Sequence, residues 1–461
     1  MKPRTLLVLL VLVLGLGTFI WFYERNLPSS EERTELGKKV FELEKEDVTG
    51  VTIESSKGPV RLERKDGKAG KDAEAAVEWN LVKPMATRAD TFAVDRLLEA
   101  LASLEKTRTL DEVDPKAVGL DKPRATVRLT TKEGDKVLKL GAEVPTGGSL
   151  IAGLEGEEGA YVVPDSILAE LEKAPVDWRD RLMFHGDREA IQRIVMTGGA
   201  EGPVVLVKRP AGFWMEKPVS DRADRDLVDG LLSDLTGLTA DRFVEASKFT
   251  AARQVVEVSF AGGPPPVRIE LGEPVATAEG NEPPAEGQPS GEVSLARVGD
   301  TVFEVRTRLG ESAQRSAAEW RAVQLSALQV HDVEAATVRD EKGSLDLARA
   351  GTDWKRSGTT ISYLPVGDLL FSVTGARAER LLSRTEARLA APLLTFELKS
   401  KGMGNETLTL YPPAPEGVPA RVSGRDVVLL LPANALQEIR KGIQAVRDAK
   451  PVTAAAAATG K

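Results

Sequence analysis

The sequence predicts an α+β protein built as three tandem repeats of a mostly antiparallel sheet with helices on one face, preceded by one N-terminal transmembrane helix. Three observations carry that expectation. A charge-free apolar run follows a basic start, a set of landmarks recurs three times in one order, and short β-branched runs come in pairs joined by glycine turns.

The apolar run extends from Leu6 to Tyr23 behind Lys2 and Arg4. As a helix it spans roughly 27 Å, close to the thickness of a bilayer's hydrocarbon core. Trp21 and Tyr23 fall where interfacial aromatics belong, and the basic end is expected to stay in the cytoplasm. The expected location is therefore the bacterial cytoplasmic (inner) membrane, single-pass, with the bulk of the chain extracytoplasmic (periplasmic). A cleaved signal peptide is the competing reading, because Gly15-Leu16-Gly17 offers small residues at a peptidase spacing. Cleavage there would leave Phe19 to Tyr23 as an apolar free terminus, whereas an uncleaved anchor buries all five residues. A lipoprotein is excluded, since no cysteine exists to be acylated. Residues 1–5 are then a cytoplasmic terminus, 6–23 the anchor and 24–39 a polar stalk, and the alanine-rich tail 451–461 is expected to be disordered.

The first recurring landmark is a tryptophan that closes a short-strand region: Trp79 ahead of Lys83-Pro84, Trp214 ahead of Lys217-Pro218, and Trp354. The second is an amphipathic helix, VDRLLEALASL from Val94, VDGLLSDLTGL from Val228 and VGDLLFSVTGA from Val366. Val94, Leu97, Leu98, Leu101 and Leu104 form one stripe at helical spacing, and Val228, Leu231, Leu232, Leu235 and Leu238 repeat it. Each side chain on that face gains about 1.5–3 kcal/mol by burial, so the face is expected to lie on a sheet. Asp90 and Asp224 stand where N-caps belong. The third landmark is a strand that runs into a Pro/Gly-rich loop and then a hairpin: from Val137, from Val267 through the loop Thr277 to Gly291, and from Leu408. Each repeat opens with two strands around Gly58, Gly202 or Gly343. The expected order is β-β-β-α-β-β-β-β-α, with turns too short for parallel crossovers. The repeats are placed at 40–184, 185–325 and 326–450.

With these landmarks in place, the first repeat resembles a bacterial family known as domain of unknown function 4340. The residues concerned are Trp79 to Pro84, Val118-Gly119-Leu120-Asp121-Lys122-Pro123, Leu140-Gly141 and Trp178 to Arg181. The second and third repeats lack the Gly-Leu-Asp-x-Pro turn. The resemblance implies no known activity and no catalytic residue. It implies a genomic neighbourhood of ATP-binding-cassette (ABC) permeases and auxiliary membrane proteins associated with gliding motility.

Composition narrows the chemistry. A formal net charge of -8, with 70 acidic and 62 basic residues spread along the chain, leaves no basic stripe for a nucleic acid. The absence of cysteine removes disulfides, thiolate nucleophiles and iron–sulfur clusters, and two histidines, His185 and His331, leave little for metal or triad chemistry. Ser103-Leu104-Glu105-Lys106 has the Ser-x-x-Lys form of penicillin-interacting acylases but no companion motif, so a structural helix end explains it better. Asp221, Asp224, Asp226 and Asp229 read as a helix start rather than a calcium loop, because the loop's glycine and terminal glutamate are missing at the needed spacing. Gly153, Gly156 and Gly159 sit between hairpin strands and do not form a phosphate loop. Lys122-Pro123-Arg124 follows a turn that needs a left-handed glycine, and the tryptophans 79, 214 and 354 read as core anchors rather than sugar platforms. The sequence singles out no catalytic residue, no cofactor-binding residue, no metal ligand and no cofactor.

These readings predict a non-catalytic, membrane-anchored extracytoplasmic accessory or scaffold protein, an auxiliary subunit of an ABC-transporter-like envelope system, with an envelope or permease protein as partner. One alternative is an extracytoplasmic ligand or polysaccharide-binding protein that uses clefts between repeats. The other is an envelope hydrolase working through carboxylates.

Overall fold

The computed structural model describes residues 38–41, 43–65, 77–275 and 292–452. The expected membrane segment Leu6 to Tyr23, most of the stalk, the loop Thr277 to Gly291 and the tail beyond residue 452 lie outside the described residues. Among the described residues, no helix is long and apolar enough to cross a membrane. The chain divides into two compact units, residues 1–181 and 182–461.

The first unit holds one nine-stranded sheet, formed by β1 (Val48–Ser55), β2 (Val60–Lys65), β3 (Glu78–Lys83), β4 (Thr87–Arg88), β5 (Arg108–Leu110), β6 (Ala125–Thr131), β7 (Gly134–Glu143), β8 (Ser149–Leu154) and β9 (Ala160–Pro164). They lie in the order β4-β3-β2-β1-β6-β7-β8-β9-β5, and every pairing is antiparallel. Two meanders meet along β1 and β6. The helix Thr91–Ala102 carries the chain from the β4 edge to the β5 edge. The second unit holds two further nine-stranded sheets, one from Ile191–Thr197 to Thr301–Thr307 and one from Val333–Asp340 to Val428–Leu431. Both repeat the strand order of the first.

Two short strands per repeat extend the expected order. Thr87–Arg88 and Arg108–Leu110, with their counterparts Asp221–Arg222, Arg242–Val244, Thr359–Ile361 and Arg380–Leu382, are two or three residues long. Runs that short show no alternation in sequence. They form because the long strand beside each offers free backbone groups.

Each repeat encloses its own apolar core. The three clusters run from Val40 to Trp178, from Phe184 to Trp320 and from Leu325 to Val446. Their centre is the helix stripe: Val94, Leu97, Leu98 and Leu101 are buried in the first repeat, Val228, Leu231, Leu232 and Leu235 in the second, and Val366, Leu369, Leu370 and Val373 in the third. Caps start the helices. The Asp90 carboxylate accepts from Ala93 N–H at 3.1 Å, Asp224 from Asp226 and Leu227 at 3.0 and 3.3 Å, and the Ser362 hydroxyl from Leu364 at 3.4 Å. The third repeat ends in the helix Ala435–Asp448, which buries Leu436, Ile439, Ile443 and Val446. Pro451 bridges Ile361 and Val452 N–H donates to the Thr360 carbonyl, so the described chain follows the sheet edge two residues past the repeat's expected end.

One landmark departs from its expected place. Trp79 and Trp354 are buried, but Trp214 is half-exposed, with the Arg209 guanidinium 4.6 Å from its ring centre and its indole N–H donating to Ser220 Oγ at 3.1 Å. Phe213 and Met215 occupy the core positions that Trp79 and Leu81 hold in β3. The proline after the strand, the cap and the helix repeat at 134 residues (Pro84 to Pro218, Asp90 to Asp224, Val94 to Val228), whereas the tryptophans repeat at 135. A shift of one residue in a strand turns a side chain to the opposite face, so Trp214 is not a core anchor.

The Gly-Leu-Asp-x-Pro turn is held in place by glycine. Gly119 has φ +73°, and a β-carbon at Gly141 would collide with the Val118 carbonyl oxygen, to which Ala142 N–H donates at 2.8 Å. Leu120 packs over Gly153, where a β-carbon would come within 2.9 Å of the leucine methyl. The turn thus rides directly on β7 and β8.

Leu98→Asp and Leu235→Asp are each expected to remove several kcal/mol, enough to unfold the repeat that carries them, because each places a carboxylate without a partner in an apolar core. Phe92→Asp, at a side chain that is 86% exposed, should leave the urea midpoint of the first unit unchanged. Gly141→Ala should lower that same midpoint; an unchanged value would show that the turn moves without cost.

Candidate functional site

The residues singled out from sequence do not converge. The Ser103 hydroxyl closes the helix end by donating to the Glu99 carbonyl at 2.7 Å, while Lys106 Nζ lies 4.2 Å from the Tyr161 ring centre. The Tyr161 hydroxyl donates to the Glu157 carboxylate, and that bond, helped by burial and by the Glu157 charge, raises its pKa to about 12. Gly156 and Gly159 take positive φ in the turn between β8 and β9. His185 and His331 are both exposed, and His331 Nε2 lies 3.5 Å from Asp332. Among the described residues, no group of three or more His, Cys, Asp or Glu is placed to hold a metal ion.

The four-aspartate segment behaves differently from a simple helix start. Asp224 is the cap. Asp226 and Asp229 are drawn to Arg377 and Arg188, at 2.6 and 2.9 Å. Asp221 is not part of the helix end at all: it lies in the edge strand Asp221–Arg222 of the second sheet and is 1% exposed.

Two elements bring charged groups to that strand. The connector after Trp320 pairs first with the edge of the second repeat, through the Ala223–Arg321 bridge, and then with the third, through the Gln324–Arg377 bridge. The connector backbone thereby joins both repeats. The third repeat contributes Arg425, from the turn after Val418–Val422, and Glu406, from the strand Asn405–Leu410. Arg425 grips Asp221 in a two-point fork, Nε at 2.7 Å and Nη2 at 3.0 Å, and Nη2 also donates to the Ala322 carbonyl at 2.8 Å. Arg321 Nε donates at 2.8 Å to Oδ2 of the same carboxylate, the oxygen that Arg425 Nη2 also reaches. Arg222 reaches Glu406 at 3.0 Å and donates to the Gln324 carbonyl. Glu406 is completed by the Ser326 hydroxyl at 2.5 Å and by Ala327 N–H at 3.0 Å.

Burial by itself would raise the Asp221 carboxyl. The Arg425 hydrogen bonds and charge, then the Arg321 bond and the Arg222 backbone N–H, outweigh it and hold the group below its ordinary 3.8. Burial, followed by repulsion from Arg425, pushes Arg222 down to about 10 against the pull of Glu406 and Asp221, so it remains a cation at neutral pH.

Beside this cluster opens a cleft of about 330 Å³ between the second and third repeats, lined by Arg222, Arg225, Gln324 and Ser326 and by the apolar Phe213 and Leu232. His331 belongs to its lining, and His185 does not. Sequence reading missed Arg222, Glu406, Gln324 and Arg425. The only traces are the recurrent Trp320-Arg321 pair and the Ser423-Gly424 turn that precedes Arg425. Nothing local ties an arginine in a hairpin turn to an aspartate 204 positions away.

Residues 79–255 match the family model described as domain of unknown function (DUF4340), the family whose resemblance the first repeat carries. The matched segment begins at Trp79 and ends in the second repeat; it contains Asp221, Arg222 and Arg225 but neither Glu406 nor Arg425. No curated protein and no solved structure matches the chain.

Asp221→Ala leaves Arg425 and Arg321 facing an empty space. The second unit should lose about 3–5 kcal/mol, the usual cost of breaking a buried pair from one side. Because the folded carboxyl titrates below its unfolded value, its contribution is complete above about pH 4 and is lost as the pH falls through the lower folded value. Urea melts between pH 7 and pH 2 should therefore show the wild-type midpoint of the second unit falling toward that of the variant. Curves that stay parallel would assign the acid sensitivity elsewhere.

Proposed function

We propose that the chain is a non-catalytic, membrane-anchored extracytoplasmic accessory or scaffold protein, an auxiliary subunit of an ABC-transporter-like envelope system. The observation that supports this reading best is how the repeats use their polar groups. Three copies of one sheet-and-helix fold each close an apolar core, and the most deeply buried charges, Asp221 and Arg425, are spent joining the second repeat to the third. Repeated modules, the second and third of them joined through buried charges, suit a protein that holds or spaces partners. The anchor rests on Leu6 to Tyr23 and on the basic residues ahead of it. The partner is an envelope or permease protein, and the location is the inner membrane with the repeats outside the cytoplasm.

Alkaline phosphatase fused after Lys461 should be active and a β-galactosidase fusion at the same point inactive; the reverse pattern removes the orientation and the proposal with it. Extraction in mild detergent should recover a permease or its neighbours with the chain. A protein that runs alone under every extraction condition would leave the accessory role without support.

A further inference from the structure

The cleft beside the Asp221 cluster is lined by a cation that binds nothing among the described residues. Around it four guanidinium groups, Arg222, Arg225, Arg321 and Arg425, face two carboxylates, Asp221 and Glu406. Arg321 and Arg425 are both committed to Asp221, and Arg222 is committed to Glu406. Arg225, the first residue of the helix Arg225–Thr236, is half-buried and lines the cleft, yet its side chain makes no hydrogen bond or ion pair among the described residues. Its charge adds to the repulsion felt by Arg222.

The other acids on the cleft wall are already engaged. Arg188 binds Asp229 at 2.9 Å and Lys208 binds Glu189 at 3.3 Å, while Asp332 accepts from Gln329 N–H at 2.8 Å. A second donor lines the same cleft: the Gln324 side chain is 6% exposed, and its Nε2 has no hydrogen-bond partner among the described residues. A buried amide donor without an acceptor is unfavourable, and so is a half-buried arginine without an anion. Both are relieved by the same kind of group. Phe213 and Leu232 supply an apolar part of the same lining.

We propose that this cleft binds a small organic anion: a carboxylate or phosphate head taken up by Arg225 and the Gln324 amide, on an apolar body that lies against Phe213 and Leu232. The planar fork of arginine matches either head group, and a pocket with one apolar wall and few convergent donors is the usual form of a small-molecule site. This goes beyond the accessory role and does not depend on it.

Titration calorimetry on the full chain in detergent, with hexanoate, hexyl phosphate, inorganic phosphate and neutral hexanol as probes, tests the proposal. At least one of the two hexyl anions should bind saturably, with one site per chain, and the stronger of them identifies the head group; hexanol should give no saturable heat. Arg225→Gln should weaken that binding by about tenfold or more, the size of a lost charge-assisted hydrogen bond. Its melting temperature should not fall, since the arginine has no partner to lose, and Arg225→Lys should restore part of the affinity. Absence of saturable binding by both hexyl anions, or equal affinity in wild type and Arg225→Gln, would overturn the proposal. Inorganic phosphate binding as tightly as hexyl phosphate would overturn the role of the apolar wall.

Discussion

The second unit depends on the burial of one carboxylate. Asp221 is almost inaccessible to solvent, and a charge so placed persists only when other charges and donors replace its lost water. Arg425 supplies two donors from the third repeat and Arg321 one from the connector. Since those groups come from three segments of chain, the carboxylate is satisfied only when both repeats and the connector are in place together. That requirement is a physical reason for residues 182–461 to form one compact unit despite holding two separate apolar cores.

The connector's backbone serves the same end. Ala322 N–H donates to the Arg222 carbonyl at 2.8 Å, and a few residues later Leu325 N–H donates to Ala376 and Ala378 N–H to Val323, also at 2.8 Å. One extended segment thus closes the edge of one repeat and pairs with the chain leaving the helix of the next. The first repeat receives its own opening segment in the same manner, with Val40 N–H donating to Leu104 and Lys106 N–H to Lys38. Backbone pairing sets the position of each repeat's opening segment. The side-chain cluster then decides which charges meet across the join in the second unit.

Inside a repeat the physics is simpler. An amphipathic helix covers one face of a curled meander, and the cost of leaving its leucine stripe in water enforces that placement three times. Such a pattern is plain in sequence because helical periodicity and glycine-turn hairpins are local. The four-residue and shorter elements were less legible: Thr87–Arg88 and Asp221–Arg222 exist only because a longer strand lies alongside. Trp214 marks the limit of landmark matching. Its spacing from Trp79 exceeds that of the flanking proline and cap by one residue, and in a strand one residue is the difference between core and surface.

By itself the sequence determined the repeat, the order of the longer strands and the main helix in each copy and the apolar positions of that helix, since these follow from periodicities within about a dozen residues. It also determined the capping roles of Asp90 and Asp224, because a cap acts on backbone two or three positions away. Only the tertiary structure decided that Asp221 leaves the acidic helix start to become the buried centre of an arginine cluster, that Glu406 and Arg425 meet it, and that Arg225 and Gln324 are left facing a cleft. The reason is distance along the chain. Residues some 200 positions apart share no local pattern, and their encounter is dictated by how two complete cores come to rest against one connector.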